Sequence, residues 1–297
     1  MLAGVERRRI TLAPSGIEIA LLDWGGDGPI ALLHHANGFC AATWALVAER
    51  LRPHFRVIAM DARGHGDSSR PEGESAYAWP NFGRDAAAVA GRLADELRRP
   101  RIALGLGHSF GGTSLLIAAA EHPRLFERLV LVDPVLPPPP LETARIDPRR
   151  SERGDGLSER ARRRREIFPD RETARRAWSE KPLFQDWDPR AFELYLQEGL
   201  RERPDGQVEL KCASEVEAAI FSQGRGFDTW QIAARVRETP TLLLWAERGD
   251  FPRAVFEEVA KRMGDARIHD TPTGHLIPME QPALVAEEAL AFTAGSD

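Results

Sequence analysis

A chain of 297 residues, 42% hydrophobic and 29% charged, has ample material for a buried core, which excludes a disordered polymer and fits two domains or one large α/β domain with an insertion. Its 45 acidic residues outnumber the 40 basic ones, and the net charge of −5 offers nothing global to draw in nucleic acid. Two cysteines, Cys40 and Cys212, make neither a disulfide framework nor a metal-binding spacing, and with no signal-like or membrane-length apolar run a soluble, cytoplasmic chain without a metal is expected.

In chain order, residues 8–24 (RRITLAPSGIEIALLDW) read as a β-hairpin turning at Pro14-Ser15-Gly16. The runs 28–35 (GPIALLHH) and 54–61 (HFRVIAMD) are continuous and apolar, as parallel strands buried on both faces are. Helical spacing lies between them over 43–51, and an alanine-rich helix is expected over 81–99, ended by Pro100. A strand at 101–107, a helix at 110–121 and a strand at 128–133 follow. This alternation is the mark of an α/β fold with a mainly parallel sheet.

The pattern breaks after Pro134. LPPPP (136–140) is a stiff connector, and from about 141 to 230 the chain is rich in Arg and Glu, with scattered aromatics and no strand alternation. Several short helices are expected there. The sheet pattern returns with TLLLW (241–245), a helix over 253–263, a strand at 266–270 and a final helix from Pro282. The expected organisation is therefore a core of residues 1–135 and 236–297 interrupted by a helical cap over 136–235. The arginine run at 160–165, flanked by Glu159 and Glu166, reads as a solvated helix face.

Gly107-His108-Ser109-Phe110-Gly111 is a G-x-S-x-G between a predicted strand and a predicted helix. A sharp turn there exposes a serine hydroxyl, and the helix start places the Phe110 N–H beside any developing oxyanion. A serine nucleophile needs a base. Of eight histidines, His275 lies in a loop after the last predicted strand, able to reach the sheet edge where Ser109 sits. His65, in RGHGDS, reads as structural. The base needs an orienting carboxylate. Asp250, in AERGDFP (246–252), is preferred, followed by Glu247 and then Asp133. A second oxyanion donor is expected from the Asn37 N–H, in the short glycine-containing loop after the strand at 28–35.

These segments together resemble the α/β-hydrolase family in its branch with a helical cap: LLHHANGF (32–39), DARGHGDSSRP (61–71), GHSFGG (107–112), WAERGDFP (245–252) and TGHLIPMEQP (273–282). The resemblance implies Ser109 as nucleophile, His275 as base, Asp250 as acid and Asn37 as a donor position. The chain departs from the family pattern at Ala36, where glycine is usual, and in the extra residue of AERGD. Serine at the elbow argues against haloalkane dehalogenase and epoxide hydrolase activity. The expected function is cofactor-independent hydrolysis of a carboxylic ester or lactone through an acyl-serine intermediate, with Phe39, Trp178 and Phe184 lining a pocket for a small or medium hydrophobic acyl or alcohol part. C–C bond hydrolysis, a lyase or perhydrolase reaction, or a non-turnover receptor on the same scaffold are the alternatives. No nucleic-acid or membrane partner is expected, and the oligomeric state is left open.

Overall fold

Strand β1 (Glu6–Leu12) turns back into β2 (Ile17–Asp23) as the expected hairpin, in antiparallel register from Glu6 opposite Asp23 to Leu12 opposite Ile17. The computed structural model describes residues 2–139, 142, 156–224 and 227–295. The next elements are β3 (Ile30–His34), α1 (Ala45–Leu51), β4 (Arg56–Met60), α2 (Trp79–Glu96), β5 (Ile102–His108), α3 (Phe110–Glu121) and β6 (Phe126–Val132).

An inserted segment follows, with α4 (Gly156–Arg162), β7 (Ile167–Phe168), α5 (Arg171–Ser179), α6 (Pro189–Glu198), β8 (Leu200–Glu202), β9 (Val208–Leu210), α7 (Ser214–Gln223) and α8 (Thr229–Ala233). The core resumes with β10 (Thr241–Ala246), α9 (Arg253–Arg262), β11 (Ala266–Thr271), α10 (Ile277–Glu280) and α11 (Pro282–Ala294). The eight core strands lie in the order β1-β2-β4-β3-β5-β6-β10-β11. The β1–β2 and β2–β4 pairs are antiparallel and the other five are parallel. This is an α/β-hydrolase fold.

Both sheet faces are covered, which is why the central strands read as unbroken apolar runs. Leu33, Val57, Ala59, Val130 and Val132 share one cluster with Trp44, Val47, Leu51 and Val285. Leu32, Ile58, Met60, Leu129 and Leu131 share another with Val89, Leu93, Leu115, Leu116 and Phe256. The inserted segment corrects the all-helical expectation, because β7, β8 and β9 form a small antiparallel sheet. Strands of two or three residues are too short to show alternation. The Pro204-Asp205-Gly206 turn between β8 and β9, with Gly206 at φ +80°, is the signal that marks the hairpin. Among the described residues no helix is long and apolar enough to cross a membrane.

The turn from β5 into α3 is packed backbone against backbone. A Cβ on Gly111 would lie 2.3 Å from the His34 carbonyl oxygen and 2.4 Å from that of His35, and one on Gly107 would lie 2.7 Å from the Gly111 oxygen. Arg63 anchors the loop after β4, its guanidinium forked onto Asp85 of α2 with both bonds at 2.6 Å.

Histidines crowd the carboxyl ends of the strands. His34 ends β3, His108 ends β5, and with His35 and His65 they are all buried. Burial holds His34 and His65 down to about 4 and His108 down to about 3, so they are neutral at physiological pH. Burial pushes the Asp61 carboxyl the other way, up to about 6, although the Ala41 and Asp67 N–H groups donate to it.

Two outcomes follow from this packing. Gly111→Ala forces a methyl into main chain that cannot rotate away, and lowers unfolding stability by about 2 kcal/mol or more in a denaturant titration; an unchanged midpoint contradicts the packing. Acidification from pH 7 to pH 5 protonates these histidines in the unfolded chain only. His34, His65 and His108 thereby each remove about 2 kcal/mol, against about 1 kcal/mol regained as folded Asp61 takes up its proton. The denaturation midpoint should fall between these pH values; a flat or rising midpoint contradicts the buried neutral histidines.

Candidate active site

Ser109 sits between β5 and α3 with φ 54° and ψ −121°, a conformation side chains rarely adopt. The residue is held there at both ends: its N–H donates to the Val132 carbonyl at 2.8 Å, and its carbonyl accepts from Thr113 N–H at 3.2 Å. The strain is the cost of turning a strand directly into a helix while presenting the hydroxyl at the sheet edge. Ser109 Oγ lies 2.9 Å from His275 Nε2.

His275 stands in the loop between β11 and α10, far away in sequence, and the loop is tied down by its own carboxylate. Glu280 accepts from Gly274 N–H at 2.7 Å and from Leu276 N–H at 3.1 Å. His108, the residue before Ser109, approaches the His275 carbonyl at 2.9 Å through Nε2, which must therefore carry the proton. Phe251 packs edge-on against the His275 ring, with centroids 5.3 Å apart.

The carboxylate on His275 is Asp133. Its Oδ2 lies 2.6 Å from His275 Nδ1, and its Oδ1 accepts the Ala246 N–H at 3.2 Å. Asp133 follows β6 directly, at φ 42°, and is fully buried. Burial pushes its carboxyl above the usual range, opposed first by the hydrogen bond from His275. An acceptor at Nδ1 fixes the proton there and leaves Nε2 free to receive one from Ser109.

This corrects the expectation for Asp250. Asp250 and Glu247 lie exposed on the loop after β10. Both Asp133 and Asp250 satisfy the serine–acid–histidine order, so chain order does not separate them. The hydrogen bond does: His275 Nδ1 meets Asp133, at the end of β6 beside β5, while Asp250 lies on the loop after β10, one strand further out. Asp250 is still near enough for its charge to oppose ionisation of Asp133.

The two expected backbone donors lie on the residue after the serine and on the turn after the strand beside β5. Phe110 is the first residue of α3, where no preceding turn supplies an acceptor. Asn37 lies in the Asn37–Gly38 turn after β3, the strand paired with β5 on the side away from β6. Among the described residues no hydrogen bond takes up either N–H. His65, expected to be structural, supports this turn. Its Nδ1 lies 3.1 Å from the Arg63 carbonyl and so carries the proton, and Nε2 accepts the Gly38 N–H at 3.0 Å.

Phe39, Trp178 and Phe184 gather in one aromatic cluster. Trp178 stacks on Phe184 at 5.7 Å and on Tyr195 at 5.1 Å, while Phe39 meets Tyr195 at 5.1 Å and Trp187 at 5.7 Å. Trp178 and Phe184 are buried and use their faces on each other, whereas Phe39 is half-buried beside the Asn37–Gly38 turn. Trp187 and Tyr195 also belong to this group, though nothing in the linear pattern marks them for it. Among the described residues, no group of three or more His, Cys, Asp or Glu is arranged to hold a metal ion.

Among curated relatives, the 2-hydroxy-6-oxo-2,4-heptadienoate hydrolase of Pseudomonas putida is 39% identical over 134 residues, 44% of this chain and 45% of that protein. The 2-(acetamidomethylene)succinate hydrolase of Mesorhizobium japonicum is 33% identical over 122 residues, 41% of this chain and 40% of that one. An uncharacterized protein of Mycobacterium tuberculosis is 38% identical over 108 residues, 36% of this chain and 29% of that protein. The chain thus spans less than half the length of these relatives. The crystal structure of E-2-(acetamidomethylene)succinate hydrolase matches 98% of this chain and 100% of its own with a TM-score of 0.82 at 22% identity, a likeness of fold. The model of the alpha/beta hydrolase family matches residues 31–288, and the chain belongs to that family.

Proposed function

We propose that this chain is a serine hydrolase that opens a carbonyl compound through an acyl-serine intermediate. The observation that carries the proposal is the unbroken hydrogen-bond chain from Ser109 through His275 to Asp133. His275 Nε2 takes the hydroxyl proton as Ser109 Oγ attacks the carbonyl carbon, and Asp133 holds the imidazolium that forms. The Asn37 and Phe110 N–H groups receive the oxyanion, a contribution of about 10²–10³ in rate for each donor. His275 then gives its proton to the leaving group. A water deprotonated by the same nitrogen attacks the acyl carbon, the acyl–Oγ bond breaks and His275 returns the proton to Ser109 Oγ, so the cycle consumes only the substrate and one water.

Carboxylic esters and lactones are the substrates this machinery handles most directly. The segment between β6 and β10 acts as a cap in this reading, with Phe39 facing the acyl group and Trp178 and Phe184 stiffening the cap behind it. A second reading, C–C bond hydrolysis, is favoured by one finding: the 39%-identical relative is a hydrolase of a 6-oxo acid whose name contains no ester. Esters and β-diketones assayed side by side distinguish the two by which is turned over faster.

Ser109→Ala should abolish turnover of p-nitrophenyl butyrate while leaving circular dichroism unchanged; retained turnover contradicts the nucleophile. Asp133→Asn should lower kcat by about 10⁴-fold by turning the base to the wrong tautomer, with Asp250→Asn within about five-fold of the parent chain. The reverse ranking contradicts Asp133 as the orienting acid.

A further inference from the structure

The arginine run at 160–165 is not the uniformly solvated face expected of it. Arg160 and Arg163 are exposed, and Arg165 lays its guanidinium over Phe168 at 4.5 Å. Arg164 turns inward, its side chain only 18% exposed. Its Nη1 donates to Glu217 Oε2 at 2.7 Å and its Nη2 to the Tyr195 hydroxyl at 2.5 Å. A guanidinium this enclosed is tolerated only with its partners in place.

Those partners both continue to the Asn37–Gly38 turn. The Tyr195 hydroxyl donates to the Gly38 carbonyl at 3.1 Å, and Asn37 Nδ2 donates to the Glu217 carbonyl at 3.0 Å. Gly38, at φ +82°, has no room for a side chain: a Cβ there would lie 2.9 Å from the Glu217 carboxylate and 3.2 Å from Arg164 Nη1. From the opposite side His65 accepts the Gly38 N–H. The turn is therefore gripped between the core loop after β4 and three residues of the inserted segment, drawn from α6, α7 and the turn just past α4.

We propose that Arg164 is a positioning residue: through Glu217 and Tyr195 it ties the inserted segment to the Asn37–Gly38 turn and fixes the Asn37 N–H where the oxyanion forms. The proposal rests on the hydrolase reading for its catalytic consequence, but the tie itself does not. Arg164 touches no reacting atom. Its planar fork reaches both partners at once, a geometry the single ammonium of lysine reproduces only in part.

The test uses the full chain and the variants Arg164→Gln, Arg164→Lys and Tyr195→Phe. Tyr195→Phe removes one hydroxyl and keeps the ring stack on Trp178 and Phe184, so it serves if loss of Arg164 disturbs folding. Amide exchange of the peptide spanning 34–40 is followed by mass spectrometry, together with kcat and KM for p-nitrophenyl butyrate and the rate of Ser109 phosphonylation by a fluorophosphonate. Arg164→Gln and Tyr195→Phe should accelerate exchange in 34–40 and lower kcat and phosphonylation by about ten-fold or more with little change in KM, and Arg164→Lys should fall between them and the parent. A role confined to stability would shift the melting temperature and leave the kcat-to-KM split unmoved. Exchange and kcat within about two-fold of the parent, or a rise in KM alone, overturn the proposal. If Ser109 of the parent chain does not react with the phosphonate, the hydrolase reading fails, and exchange in 34–40 still decides whether the tie exists.

Discussion

Main chain presses on main chain where β5 becomes α3, and the candidate site is built outward from that contact. Gly107 and Gly111 let the helix start against the loop after β3, and a methyl at either would strike backbone. A chain held this tightly leaves Ser109 little choice but a positive φ, which stands its hydroxyl clear of the sheet edge. The neighbouring strands then supply the rest: β3 delivers the Asn37 turn on one side, and β6 delivers Asp133 on the other. His275 alone arrives from a distant loop, and that loop is secured by Glu280 and by His108, the residue next to the serine.

Much of this was legible in the sequence, for physical reasons that differ from part to part. The core strands and helices were readable because burial on both sheet faces leaves long apolar runs, and because glycines mark the place where backbones meet. Ser109 and His275 were readable for a related reason: a strand-to-helix turn and a loop after the last strand both lie at the same sheet edge. Asp133 ranks last from sequence because carboxylates follow both strands, Asp133 one residue past β6 and Glu247 and Asp250 one and four residues past β10. Only the folded approach of the His275 loop to Asp133 separates them, and that contact, 142 residues apart in the chain, is not written in its linear pattern. The β7–β9 sheet escaped because its strands are shorter than any alternation, although Pro-Asp-Gly at 204–206 marked the turn. Arg164 is indistinguishable from its neighbours in a run of like charges until its partners fold against it.

The inserted segment has two parts with different demands. One is an aromatic interior of Trp178, Phe184, Trp187 and Tyr195, which buries area and stiffens the segment. The other is a polar seam of Arg164, Glu217 and Tyr195, which meets the core at one turn. Tyr195 belongs to both, its ring in the stack and its hydroxyl in the seam. The aromatic stack and the polar seam are thus joined through a single side chain. Two relatives are named for a 6-oxo acid and an acetamido compound, so membership of the family does not by itself fix the substrate.

A crystal structure of the chain after reaction with an alkyl phosphonate tests the central claim most directly. The account predicts phosphorus bonded to Ser109 Oγ, one phosphoryl oxygen about 3 Å from both the Asn37 and Phe110 nitrogens, and His275 still bonded to Asp133. An adduct on another side chain, or a phosphoryl oxygen turned away from both nitrogens, would contradict it.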